Sequence, residues 1–136
     1  MKQEERQLLL KDLSARLPHD VKIEITWWVM GEGTCMNTTL EPDHIEQLFN
    51  DEYGDTEIKP YLRPMSSMTD EENEEFKSIA GGKMIEGYNF IVRKCTLEYK
   101  TIAEIEEWLN TNNFDFRGLI EKDLALEAPE GMYKID

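Results

Sequence analysis

Apolar and polar positions alternate in several short registers along this 136-residue chain. Leu9, Leu10, Leu13 and Leu17 recur at spacings of three and four, which predicts an amphipathic helix over residues 3–17. Pro18 closes it, because the residue before a proline resists helical geometry. Val21, Ile23, Ile25 and Trp27 then alternate with Lys22, Glu24 and Thr26, the pattern of a half-buried strand. A turn is expected at Gly31-Glu32-Gly33, with Thr34 to Leu40 returning as the second strand of a hairpin. Pro42 suits the first position of a short helix that carries Ile45, Leu48 and Phe49 on one side.

Glu57-Ile58-Lys59 reads as a short strand. Pro60 and Pro64 bracket Tyr61-Leu62-Arg63, and two ring nitrogens that cannot donate argue against a central strand there. An extended edge or turn that ties Tyr61 and Leu62 into the core is expected instead. Thr69-Asp70-Glu71-Glu72 has the form of a capping box opening a helix to about residue 80, stopped by Gly81-Gly82. Tyr88, Phe90 and Val92 alternate as a further strand. Thr101-Ile102-Ala103-Glu104 reads as a second capping box, before a helix with Ile102, Ile105, Trp108 and Leu109 inward. Residues 118–126 form a helical turn and then an extended piece. The expected fold is α+β, one domain over residues 1–136, with a small antiparallel sheet packed against two to four helices. Trp27, Phe90, Trp108, Leu109, Leu119 and Leu124 are expected in a single core.

Two blocks, Lys59-Pro60-Tyr61-Leu62-Arg63-Pro64-Met65-Ser66-Ser67-Met68-Thr69 and the stretch from Trp108 to Tyr133, carry a resemblance. The second includes Phe114-Asp115-Phe116-Arg117-Gly118-Leu119-Ile120-Glu121-Lys122 and Leu124-Ala125-Leu126-Glu127-Ala128-Pro129-Glu130-Gly131-Met132-Tyr133. They resemble a family of small acidic proteins of gut-bacterial genomes, their prophages and phages. The resemblance implies a mobile-element setting and brings no catalytic residue set. In that pattern a glycine commonly stands where this chain has Asp123, which implies a turn suited to positive φ.

Charge narrows the functions. Fifteen basic residues face 29 acidic ones, a net charge of −14. Between Lys22 and Lys59 there are nine acids and no Lys or Arg, and Asp70-Glu71-Glu72-Asn73-Glu74-Glu75 adds a second block. Binding to nucleic acid through phosphates needs a basic patch, and so does attachment to an anionic membrane. Neither is expected; a basic host or phage protein is a compatible partner. No apolar run approaches a membrane span, and the charged start does not read as a signal peptide. A cytoplasmic protein is expected.

Candidate chemistry is sparse. Cys35 and Cys95 read as two buried thiols. With His19 and His44 they form no metal-ligand spacing, so neither metal nor other cofactor is expected. Ser66 and Ser67 lack a nucleophile turn and read as the loop into the Thr69 cap. Asp51-Glu52-Tyr53-Gly54-Asp55 lacks the spacing of a calcium loop and reads as a solvated acidic loop. Trp27 and Trp28 point to opposite faces of a strand, so one is core. The other is either covered by the N-terminal helix or exposed as a contact anchor. The leading expectation is a non-catalytic, phage- or prophage-associated interaction module, its surface built from Trp28, Asp51, Glu52 and Asp55. The alternatives are an acidic DNA mimic that inhibits a host nuclease or regulator, and an enzyme pairing those carboxylates on a divalent metal.

Overall fold

A computed structural model describes residues 2–50, 56–79 and 99–133. Helix α1 (Gln3–Arg16) runs into a 3-10 turn (Leu17–His19) that accommodates Pro18 at its start. Strands β1 (Lys22–Val29) and β2 (Glu32–Thr39) form a hairpin, followed by α2 (Pro42–Asn50), β3 (Thr56–Leu62), a second 3-10 turn (Met65–Ser67) and α3 (Asp70–Ile79). Helix α4 (Tyr99–Thr111) and the two-residue strand β4 (Leu126–Glu127) complete the described elements. The α+β class is as expected.

The sheet is open, in the order β2-β1-β3-β4. β1 pairs antiparallel with both β2 and β3, while β4 runs parallel to β3 at Tyr61↔Leu126 and Leu62↔Glu127. The sheet is therefore mixed rather than antiparallel throughout. β3 is an inner strand, and Pro60 lies within it opposite Ile23, contrary to the edge or turn expected for this segment. Its missing N–H is tolerable because β4 begins pairing only at Tyr61, one residue on.

Ile23, Ile25 and Ile58 project from one face onto Leu9 and Leu13 of α1 and Leu48 of α2, with Leu119, Leu124 and Ala125 completing the cluster. Arg6 reaches across to the end of α2, its guanidinium donating to the carbonyls of Leu48 and, at 2.8 Å, Phe49. Phe49 itself points outward, so of the three α2 positions expected to face inward only Leu48 is fully buried.

A second cluster joins Phe76 of α3, Ile105 and Leu109 of α4, and Phe114 and Phe116 beyond it. Trp108 stacks on Phe114 and meets Phe76 edge-on, both at 5.7 Å between ring centroids. Met65 and Met68 pack here as core filling. Among the described residues, the single core expected from the sequence is thus two clusters. Leu119 and Leu124 belong to one and Leu109 to the other, with Trp27 and Trp108 each partly buried at the margin of its own cluster.

Charged side chains join the two. Asp12 and Arg16, one turn apart on α1, are both fully buried and paired at 2.9 Å. Arg117 donates to the other Asp12 oxygen at 2.7 Å and to Asn110 at 3.1 Å. Arg16 also donates to the Phe114 carbonyl at 2.5 Å. Arg117 lies 4.1 Å above the Phe116 ring, and Arg63 lies 4.2 Å above Phe114. Among the described residues, two buried atoms in this region, Arg16 Nη1 and Asn113 Oδ1, have no hydrogen-bond partner.

Candidate functional site

Thr69 caps α3 as its sequence predicts. The Glu72 N–H donates to Thr69 Oγ1 at 3.2 Å, and the Thr69 N–H donates back to Glu72 Oε1 at 3.0 Å. The same carboxylate takes Arg63 through both oxygens, at 2.7 and 2.6 Å. Burial pushes the Glu72 carboxyl up, but the Arg63 and Thr69 hydrogen bonds outweigh it and hold it below its ordinary value. One of the five acids of this block is therefore structural rather than part of an acidic surface. Thr101 is not a cap: α4 begins at Tyr99, two residues earlier, so Thr101 stands inside the helix.

The segments 59–69 and 108–133 meet in space. Besides the β3–β4 pairing, the Ala128 N–H donates to the Leu62 carbonyl at 2.8 Å, and Arg63 forms a bridge with Phe114. The Tyr133 hydroxyl donates to the Tyr61 carbonyl at 2.7 Å and accepts from the Lys22 N–H at 2.8 Å. Between the two segments lies a cleft of about 300 Å³ lined by Arg63, Ser67, Glu127, Pro129, Glu130 and Tyr133. Its central polar groups are committed elsewhere: Arg63 to Glu72, Ser67 to the Pro64 carbonyl at 2.6 Å, and Tyr133 as above. Burial raises the Tyr133 phenol to about 12. Asp123 adopts φ 59, in the left-handed region. Asp115 organises the preceding turn, accepting from the N–H groups of Leu119 and Ile120 at 2.8 and 3.0 Å.

The other face of the sheet is polar. Pairing places Lys22, Glu24, Thr26 and Trp28 of β1 in rows with Thr39, Asn37, Cys35 and Gly33 of β2. Lys59 pairs with Glu57 at 2.9 Å and Asp123 at 3.1 Å, which outweighs burial and raises its ammonium. The Tyr61 hydroxyl sits 3.2 Å from Glu24 and 3.0 Å from Asn37, and burial together with the Glu24 charge raises its phenol. Cys35 is exposed and 3.4 Å from the Thr26 hydroxyl, so the expectation of a buried thiol fails at this residue. The edge position of β2 is the reason, since no element among those described covers it.

Trp28 is the exposed member of the tryptophan pair, at 45%. It lies across from Gly33, where an added Cβ would come within 3.3 Å of the indole nitrogen. The hairpin turn is Met30-Gly31, one residue earlier than expected, because Val29 pairs directly with Glu32. Both turn residues have positive φ, 54 and 82, the two-residue turn that matches strand twist. Met30 is fully exposed and Met36 half exposed. Neither methionine stood out in the sequence, although Met-Gly between two strands marked the place. Asp51, Glu52 and Asp55 lie outside the described residues, as do the expected strand at residues 88–92, Cys95 and the Gly81-Gly82 stop.

Among the described residues, no group of three or more His, Cys, Asp or Glu is placed to hold a metal, and no helix is long and apolar enough to cross a membrane. Comparison with protein-family models, with curated proteins and with solved structures returns no match.

Proposed function

We propose that this chain is a non-catalytic protein-interaction module, working in the bacterial cytoplasm on behalf of a phage or prophage, and that the tip of its β1–β2 hairpin is the contact. The observation that carries this reading is Met30. It stands fully exposed in a left-handed conformation at φ 54, where asparagine followed by glycine is the favoured choice. A methionine there gives up turn stability and adds nothing to the core. Half-exposed Trp28 lies two residues away, and a large aromatic beside a flexible thioether is a common composition for a contact surface. The exposed acids Glu32, Glu41, Asp43 and Glu46 lie in and just beyond the hairpin, which favours a basic partner.

The test is affinity capture from host lysate with wild type and the Met30→Asn and Trp28→Ala variants. Met30→Asn is expected to stabilise the fold while losing the partner. Capture of the same proteins by all three chains would contradict the reading.

A further inference from the structure

We propose that two copies of this chain join through the outer edge of β2, antiparallel about Met36, into one continuous sheet. This goes beyond the hairpin-tip reading and rests on a separate observation, the absence of charge along an open strand edge.

Edge strands are ordinarily blunted by lysine, proline, a bulge or shortness. β2 has none of these. It runs eight residues, pairs with β1 without interruption from Lys22↔Thr39 to Val29↔Glu32, and is exposed over most of its length. Charged residues make up 32% of the chain, yet Gly33 to Leu40 contains none. The Leu40 N–H donates inward to the Val21 carbonyl. Strand alternation then turns the N–H and C=O groups of Gly33, Cys35, Asn37 and Thr39 outward. Among the described residues no strand takes them up.

The chemistry of this edge selects the occupant. A basic extended segment would find no carboxylate between Gly33 and Leu40. A strand as neutral as β2 fits, and β2 fits itself. A two-fold axis through Met36, perpendicular to the sheet, sets Cys35 opposite Asn37 of the second copy and Gly33 opposite Thr39. All the outward groups are then used in hydrogen-bonded pairs. Thr34 meets Thr38, Glu32 meets Leu40, and no two like charges are opposed. The same axis puts both polar faces on one side, so both Trp28 side chains stand on one face of the dimer, toward its opposite ends.

Each copy carries −14, so the remainder of the two surfaces repels. Added salt screens that repulsion, and self-association should tighten as salt rises, opposite to a complex with a basic protein. Sedimentation velocity on the full chain, over roughly 10 to 500 µM, should show a species of twice the 16.0 kDa chain mass, growing with sodium chloride. Met36→Lys places two ammonium groups across the axis and should weaken the dimer roughly tenfold or more. Phe49→Lys makes the same change of charge at an exposed apolar residue elsewhere and should leave it intact. Met36→Cys in a Cys35→Ser background should cross-link to a covalent dimer on mild oxidation, whereas Cys35→Ser alone, which keeps Cys95, should not; this readout does not depend on how Met36→Lys folds. A wild-type chain that stays monomeric throughout overturns the proposal. So does a dimer indifferent to Met36→Lys, or a monomer that loses a basic partner when Met36 is changed. Loss of lysate partners with Trp28→Ala, by contrast, bears only on the hairpin-tip reading.

Discussion

Arg63 holds Glu72 through both guanidinium nitrogens, at 2.7 and 2.6 Å, while its flat face rests 4.2 Å from the centre of the Phe114 ring. One side chain thus ties the residue just after β3 to the first turn of α3 and to the chain leaving α4. Glu72 is shared between that ion pair and the Thr69 cap, so the end of α3 and the second hydrophobic cluster are built together. Thr69→Ala should cost about 1 kcal/mol in urea unfolding. Thr101→Ala, inside a helix, should stay within about 0.5 kcal/mol.

The buried pair Asp12–Arg16 should behave differently from a surface ion pair. Asp12→Ala leaves two guanidinium groups without their carboxylate in the interior, and a loss of about 3 to 5 kcal/mol is expected. Exposed pairs such as Lys77–Glu74, 3.9 Å apart, should contribute under about 1 kcal/mol by the same denaturant measurement.

Stability should fall at both ends of the pH range. Glu72 is held below its ordinary value in the folded chain, so its contribution is present above pH ~4.5 and is lost as pH falls through its lowered folded value. Tyr133 is raised to about 12, so its contribution is complete below pH ~10 and disappears as pH climbs towards 12. Tyr133→Phe should cost about 1 to 2 kcal/mol at neutral pH, since Lys22 N–H and the Tyr61 carbonyl lose their partner. It should also flatten the alkaline limb of the melting-temperature profile.

Much of this fold was legible because local patterns carried it. Alternation at Val21–Trp27, the Thr69 capping box and the inward face of Ile105 and Leu109 all gave the right element. Three features were not legible, each for a physical reason. Asp12 and Arg16 share the helix face of Leu9 and Leu13, but a buried charge there needs partners that spacing does not name: each other and Arg117, about a hundred residues later. Pro60 argues against an inner strand unless one knows that β4 pairs for two residues only. The proposed contact surface was legible only in part: strand alternation singles out Trp28, but Met30 and Met36 acquire meaning only once the turn and the sheet edge are placed.

The hairpin tip yields the most direct measurement, because strain and contact make opposite demands on one residue. Met30→Asn should raise unfolding stability by about 0.5 to 1 kcal/mol, as the left-handed turn position is relieved. In quantitative capture from host lysate the same variant should lose the partner held by wild type, as should Trp28→Ala, whose fold barely changes. A Met30→Asn chain that is more stable and retains every wild-type partner would contradict the assignment of this hairpin as the binding surface.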